Sequence, residues 1–299
     1  MDKSLRFSAI DIGSNAMRLL FTRVIINGGD PSFIKESLIR MPLRLGHDAF
    51  VNGSISIEIA EKFIQTMHGF MHMINAYDPL RFRVCATSAM RTADNGVELV
   101  GRVKQETGLE IEIINGMDEA ALIFANHIER TLKAKHHYIY IDVGGGSTEL
   151  NLIYDKQMLA SRSFPIGSVR LLERKVTENN WQDMKVWVKE NTKKFRPIKA
   201  IGSGGNINKI ASLLGKQKGD SLNQKEIKDI LMKIKPFDYH DRIVKLGMRP
   251  DRADVIIHAG SIYLNCLKWS GAKKMVVPQV GLPDGIINQL YKDYKIQLG

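Results

Sequence analysis

The stretch "IDVGGGSTEL", Ile141 to Leu150, sets three consecutive glycines between an aspartate and a glutamate. Glycine loses more backbone entropy on ordering than any other residue, so such a loop is either a tight turn or a place where backbone approaches a ligand. The apolar run "HYIYIDV" (137–143) precedes it and "STELNLIY" (147–154) follows, which reads as strand, glycine turn, strand. The chain opens in the same way: "RFSAIDI" (6–12) reads as a buried strand, "GSN" (13–15) as a tight connection and "MRLLFTRVII" (17–26) as the returning strand. Two matching openings imply an internal duplication. If the halves face each other, one Gly/Ser turn lies on each side of a cleft, and adjoining amides in such turns form anion-binding nests.

The elements between and after these hairpins repeat in order. In the first half we expect a third strand at 32–40 and a long amphipathic helix from Ser54 to about Ala76, closed before Pro79. A strand at 81–87, a helix at 95–108 closed by Gly108, a strand at 109–114 and a helix from Asp118 toward Leu132 follow. In the second half the order is a third strand at 157–167, helical patterns over 168–196, a strand at 198–203 and a helix from about Asn206. Residues 222–269 read as mostly helical, 273–278 as a strand and 285–296 as a closing helix. The expected division is therefore residues 1–124 and 125–299, inside the helix at 118–132, with the last helix as a candidate to pack back on the first domain.

With 299 residues, 44% of them hydrophobic and 25% charged, the chain has the composition of a globular protein of two domains. No apolar run approaches the roughly 20 residues that span a bilayer. The N-terminus carries no apolar export core, and Cys85 and Cys266 stand far apart in apolar contexts. Buried thiols in a reducing cytoplasm are the expectation. The net charge of +11 is unevenly spread: residues 1–124 hold 13 Lys and Arg against 15 Asp and Glu, residues 125–299 hold 30 against 17. The basic half suits a polyanion. Nucleic acid, a phosphate polymer and an acidic membrane surface all satisfy that charge.

Several motifs can carry chemistry. Asp11 and Asp142 each end an apolar strand, where a carboxylate is costly unless paired or metal-bound. Glu149 lies on the strand returning from Asp142, so the hairpin can bring both carboxylates to one cation, a sparse set that suits Mg²⁺. A third glycine cluster, "IGSGGN" (201–206), follows a strand and opens a helix, where Gly204 and Gly205 permit close approach of an anion. No Gly-Lys-Ser/Thr follows it, so it is not a P-loop. In "ATSAMRTADN" (86–95), Thr87, Ser88 and Arg91 can face phosphate oxygens, or form a helix cap with a surface arginine. In "NGMDEAALIF" (115–124), Asp118 and Glu119 open a helix as dipole-favoured acids, or one of them serves as a general base.

Other features are better read as structure. His68 and His72 are four apart without the glutamate of a zincin motif. Lys185, Lys189 and Lys193 form an i, i+4 stripe that reads as a solvated helix face, with a polyanion track as the alternative, and the Met and aromatic residues of 63–77 read as core. Ser14, Ser147 and Ser203 have no nearby histidine, which removes a serine hydrolase.

Taken in order, "AIDIGSNAMRLL", "ATSAMR", "INGMDEAALIF", "YIDVGGGSTEL", "IGSGGNINKI" and "GLPDGII" resemble the exopolyphosphatase/guanosine pentaphosphate phosphatase family, over about residues 6–290. The resemblance implies an α/β fold of two ribonuclease H-like domains, as in actin, sugar kinases and heat-shock ATPases, with an active site in the inter-domain cleft. It implies Mg²⁺-assisted attack of water on a terminal phosphoryl group. Residue by residue, Glu119 matches the family's catalytic glutamate, with Asp118 standing where many members carry another glutamate. Asp142 and Glu149 match acids near the metal, with Asp11 a further candidate. Gly13, Ser14, Asn15, Ser88, Arg91, Gly144, Gly145, Gly146, Ser147, Gly204 and Gly205 match phosphate-facing loops. The substrate so implied is a polyanionic phosphate, polyphosphate or guanosine pentaphosphate, rather than a specific nucleic acid or a membrane. Longer members continue into a helical region that builds a polyphosphate channel. This sequence ends at Gly299, so the resemblance is to the short two-domain members and carries no preference for very long chains.

Exopolyphosphatase is the leading reading and guanosine pentaphosphate 5′-phosphatase the runner-up. A small-molecule kinase on the same scaffold is disfavoured by the acid at 119 and the basic half, and a phosphate-sensing module by the retained Glu119, Asp142 and Glu149. A homodimer is an expectation from apolar faces on the terminal helices.

Overall fold

The structure, a computed structural model, describes residues 3–26, 30–124, 132–133 and 135–297. Its contacts divide the chain into residues 1–126 with 282–299, and residues 127–281. The expected division after residue 124, in a helix continuing to 132, falls at residues that lie outside the described ones.

The first unit is built on β1 (Lys3–Ile12), β2 (Met17–Ile26), β3 (Ser32–Met41), β4 (Arg81–Ala86) and β5 (Ile111–Ile113). They form one sheet in the order β3-β2-β1-β4-β5. β1 to β3 are antiparallel, whereas β4 and β5 run parallel to β1. β1 is central, and Phe7, Ala9, Ile10 and Ile12 are all fully buried, the near-continuous apolar run of a strand covered on both faces. Helices α1 (Leu45–Val51), α2 (Ile57–Tyr77), α3 (Ser88–Thr92), α4 (Gly96–Thr107) and α5 (Gly116–Phe124) complete the continuous part of the unit. α2 buries Ala60, Phe63, Ile64, Met67, Phe70 and Ile74, one helical stripe, and ends at Asp78 in the left-handed region just before Pro79. The reading of 63–77 as uniformly core needs one correction: Met73 lies off that stripe and is 43% exposed. His68, on the same helix, contacts Glu106 of α4.

The second unit contains β6 (His137–Val143), β7 (Thr148–Tyr154), β8 (Gln157–Phe164), α6 (Ser168–Leu172) and α7 (Glu178–Thr192). β9 (Ile198–Ser203), α8 (Gly205–Leu213), β10 (Ser221–Asn223) and α9 (Gln224–Ile234) follow, then α10 (Tyr239–Val244), α11 (Pro250–Ala253), α12 (Ile256–Ser270) and β11 (Lys274–Val276). Its sheet order is β10-β11-β9-β6-β7-β8. Read from β8, the order and directions repeat those of the first sheet, with β6, β7, β8, β9 and β11 in the places of β1 to β5 and β10 added at the edge. Ile139, Ile141, Leu150 and Leu152 face a core closed by Met184 and Val188 of α7 and Ile262, Cys266 and Leu267 of α12.

The third strand of this unit stops at Phe164 rather than running to Gly167. Pro165 has no N–H to give to a ladder and ends it.

The last helix, α13 (Leu282–Ile296), belongs to the first unit, where it packs on β1 and α5. Tyr291 meets Phe7 edge-on at 6.2 Å, and Asp284 pairs with Lys35 of β3 at 2.6 Å.

Candidate active site

Each unit places its glycine turn between its first two strands, and the two turns are closed alike. Gly13 N–H donates to the Ala16 carbonyl at 3.2 Å, and Gly144 N–H to the Ser147 carbonyl at 2.9 Å. The segment after the third strand then returns and takes up the turn's carbonyls. In the first unit Gly46 N–H binds the Ser14 carbonyl at 2.7 Å and Arg44 N–H the Asn15 carbonyl at 3.2 Å. In the second, the Gly144 carbonyl accepts from Ser168 N–H at 3.0 Å and the Gly145 carbonyl from Val169 N–H at 2.8 Å. The Gly146 carbonyl accepts from Arg170 Nε at 3.0 Å. In a trans peptide the N–H points opposite to the C=O. Carbonyls tied back to α6 therefore turn the amides of Gly145, Gly146 and Ser147 to the other side, an arrangement of adjoining amides that can form an anion nest. Gly167 permits the close approach: a Cβ there would lie 2.3 Å from the Gly145 carbonyl oxygen.

The residues opposed across the strands show a difference that the shared fold hides. In the first sheet Asp11 faces Arg18 on β2, and Arg18 faces Arg40 on β3. Asp11 is buried and ion-paired with Arg18. Burial pushes its carboxyl up, and the two arginines pull it back. In the second sheet Asp142 faces Glu149 on β7, and Glu149 faces Ser163 on β8. Asp11 and Asp142 are equivalent, but the residue opposite is an arginine in one unit and a glutamate in the other. Like charges directly opposed destabilise a sheet. One aspartate is thus neutralised by its own hairpin, while the other is joined by a second acid.

Around Asp142 the third glycine loop closes in. Gly204 takes φ 111°, and a Cβ there would come within 3.2 Å of Asp142 Oδ1 and 2.9 Å of the Val143 carbonyl oxygen. Tyr263 of α12, fully buried, donates its hydroxyl to the Ser203 carbonyl at this turn. Burial and then Asp142 drive its phenol well above the ordinary range. α8 starts at Gly205, against which the Arg252 guanidinium lies, and Lys209 sits one turn further on. Burial and then Arg252 lower the Lys209 ammonium, which donates to the Leu246 carbonyl at 2.9 Å.

In the first unit, β5 delivers α5. Asn115 caps it: its Oδ1 accepts from the amides of Met117 and Asp118, and its Nδ2 donates to Asp118 Oδ2 at 2.8 Å. Asp118 is exposed and engaged in this cap, whereas Glu119 turns inward and is buried. Cys85, opposite Asp11 on β4, feels both Asp11 and Glu119; burial first, and then these carboxylates with Glu112, push its thiol up to about 12 against the pull of Arg83. Asp11, Cys85 and Glu119 therefore share one neighbourhood. Arg91 of α3 is exposed and donates to the Ile114 carbonyl just ahead of α5, which keeps the rest of its five-donor fork for other acceptors. Ser88 is buried at the start of α3. Thr87, offered above as a phosphate contact, spends its hydroxyl on the Ile12 carbonyl at 3.4 Å.

The structure thus groups Gly13, Ser14, Asn15, Ser88, Arg91 and Glu119 within the first unit. It groups Gly144, Gly145, Gly146, Ser147, Asp142, Glu149, Gly204 and Gly205 within the second.

The sequence model of the Ppx/GppA phosphatase family matches residues 37–293. The chain belongs to that family. A Fusobacterium nucleatum bifunctional 3-dehydroquinate synthase/phosphatase is 30% identical over 298 residues, covering 91% of this chain and 44% of that protein. Exopolyphosphatase 1 of Mycobacterium tuberculosis is 30% identical over 167 residues, 56% of this chain and 48% of that protein. The chain spans about half the length of the curated relatives it matches. Among solved structures, the Aquifex aeolicus member of the Ppx/GppA family superimposes with a TM-score of 0.77 at 26% identity, covering 98% of this chain and 99% of that one. A Cytophaga hutchinsonii exopolyphosphatase gives 0.83 at 24% identity, over 96% and 98% of the two chains, a likeness of fold. As in the family, the fold is the two-domain actin-like one, each domain ribonuclease H-like. Within this Ppx/GppA phosphatase, sequence reasoning missed Arg18, Gly167, Ser168, Arg170 and Arg252. Only the seven-residue spacing from Asp11 to Arg18, equal to that from Asp142 to Glu149, offered a signal for any of them.

Proposed function

We propose that this chain hydrolyses the terminal phosphoric anhydride bond of inorganic polyphosphate and releases orthophosphate. The observation that carries the reading is the opposed pair Asp142 and Glu149 beside a glycine loop with its carbonyls drawn back. Among the described residues no group of three or more His, Cys, Asp or Glu gathers to cage a metal. Two opposed carboxylates are instead the donor set that suits Mg²⁺, which takes one or two carboxylates and completes its shell with water and phosphate oxygens. When bound, the ion supplies charge neutralisation on the phosphoryl oxygens. Asp11, already matched by Arg18, is left out of this set.

The chain's own residues do the remainder. The amides of Gly145, Gly146 and Ser147, the turn at Gly13 to Asn15, Ser88 and the fork of Arg91 hold phosphoryl oxygens, since phosphoryl transfer depends on positioning and electrostatic stabilisation. Glu119 aligns the water and takes its proton. The water oxygen bonds to the terminal phosphorus as the bridging P–O bond breaks, and the departing chain keeps the electron pair. The basic composition of residues 125–299 favours a polyanion as substrate. Phosphate release from polyphosphates of several lengths and from guanosine pentaphosphate, each with and without Mg²⁺, tests the reading. Release from guanosine pentaphosphate alone overturns the polyphosphate assignment, and full release in EDTA removes the metal.

A further inference from the structure

The second sheet carries a feature that the chemistry above does not use. Ser163 stands on β8 directly opposite Glu149, and its Oγ donates to Glu149 Oε1 at 2.8 Å. Two residues back the motif repeats: Ser161 is opposite Asn151, and its Oγ donates to Asn151 Oδ1 at 2.7 Å. The intervening Arg162 turns to the other face and pairs with Asp183 of α7 at 2.6 Å. The two serines therefore form a ladder along the row that ends at the carboxylate pair. In the first unit the position equivalent to Ser163 is Arg40, opposite Arg18.

We infer that Ser163 is a positioning residue for the divalent cation of the Asp142–Glu149 pair, an inference that rests on the function proposed above. Glu149 is 1% exposed, so water cannot orient it. A hydroxyl donated to one oxygen of a buried carboxylate fixes the plane of the group. That plane decides how the carboxylate presents itself beside Asp142. An arginine at this position, as at Arg40 in the first unit, would bring a positive charge to the row that holds the carboxylate. Serine orients without neutralising. Hydrogen-bond partners of metal-binding side chains tune affinity by about 10–100-fold when removed.

The test is cation binding by the full-length chain, with Mn²⁺ in place of Mg²⁺ and free Mn²⁺ read by electron paramagnetic resonance, so that turnover is not involved. Ser163→Ala should weaken Mn²⁺ binding about 10–100-fold. Ser163→Thr, which keeps the hydroxyl, should stay within about threefold of wild type. The melting temperatures of the three proteins in EDTA separate this effect from loss of fold. If Ser163→Ala does not fold, Ser163→Cys, of similar size but a weaker donor, should show the same loss in smaller measure. Equal Mn²⁺ affinity in the wild type and the alanine or cysteine variant overturns the role of Ser163 and leaves the proposed function standing. A Thr variant that binds as poorly as Ala also overturns it. A wild-type chain that binds no Mn²⁺ removes the cation from the proposed function, and this role with it.

Discussion

Glu149→Gln is the substitution that most directly weighs the opposed carboxylates. In an antiparallel pair, directly opposite Cβ atoms lie about 4.5–5.5 Å apart. At about 5 Å and an effective dielectric of about 20, two unit charges repel by roughly 3 kcal/mol. The variant removes that repulsion, but it also weakens the bond from Ser163, which as a hydrogen bond to a charged group contributes roughly 1.5–3 kcal/mol. The two changes oppose each other, so in EDTA the variant should unfold within about 2 kcal/mol of wild type. Mg²⁺ separates them. At 100 times its Kd a ligand bound only by the folded state adds about 2.7 kcal/mol. At about 2–4 °C per kcal/mol for a unit of this size, the wild-type transition should rise by roughly 5–10 °C. Glu149→Gln should show no rise. Calorimetric melts of both proteins in EDTA and in saturating Mg²⁺ supply all four values. A Mg²⁺ shift that survives in the variant, or a loss above about 2 kcal/mol in EDTA, would refute the argument from opposed charge.

Four further outcomes follow from the geometry. Glu119→Gln should lower turnover by about 10²–10⁴-fold with KM little changed, as removal of a general base does; phosphate release at saturating substrate checks it, and undiminished turnover takes Glu119 out of the chemistry. Gly167→Ala would set a Cβ 2.3 Å from the Gly145 carbonyl oxygen, so the loop must shift and KM for polyphosphate should rise, while a variant with wild-type KM shows that the amides of 145–147 do not hold substrate. Added salt should raise KM for a polyanion, because charges separated by more than a Debye length of about 10 Å at 0.1 M are largely screened; a KM indifferent to salt removes the basic half from recognition. His258 of α12 is pushed below its ordinary value of 6.5 by burial first and by Arg242 second. The unfolded chain therefore binds the extra proton below about pH 6.5, so stability should fall as pH drops through that window, and less so in His258→Asn. Denaturant melts at pH 7.5 and 5.5 measure the difference, and equal slopes in both proteins sink the assignment.

The central strands were legible because their signal is local. A period of two around a glycine turn marks a hairpin, and the chain carries it twice. The long helix α2 was legible for the same reason, through a sustained apolar stripe closed before Pro79. What was not legible depends on partners distant in sequence. α1 is only seven residues, and its place is defined by the bond from Gly46 N–H to the Ser14 carbonyl. The segment 165–170 reads as the end of a strand as far as Gly167, because Phe164 and Ile166 keep the period, and then as the start of a helical pattern. Its use as the clamp on the glycine loop appears only when the Gly145 and Gly146 carbonyls are followed to their donors.

The candidate site divides along the same line. Asp142 and Glu149 could be paired from the sequence because the turn between them is short. Asp11 invites the same reading, but the residue at the same spacing from it is Arg18, not an acid. Overlaying the two sheets changes the question from which residues are acidic to which residue faces which. Row for row, the first unit opposes an aspartate with two arginines, and the second opposes an aspartate with a glutamate held by a serine. A duplicated fold would by itself predict two equivalent anion-binding turns. The charges opposite Asp11 and Asp142 break that equivalence, so only the second turn stands next to a pair of opposed acids, the pair to which the proposed function assigns the cation. This is why a single substitution at Glu149 should abolish the Mg²⁺ response, whereas Arg18→Met should leave cation binding intact and leave buried Asp11 with only the more distant field of Arg40, a loss of up to about 3–5 kcal/mol that a denaturant melt would read.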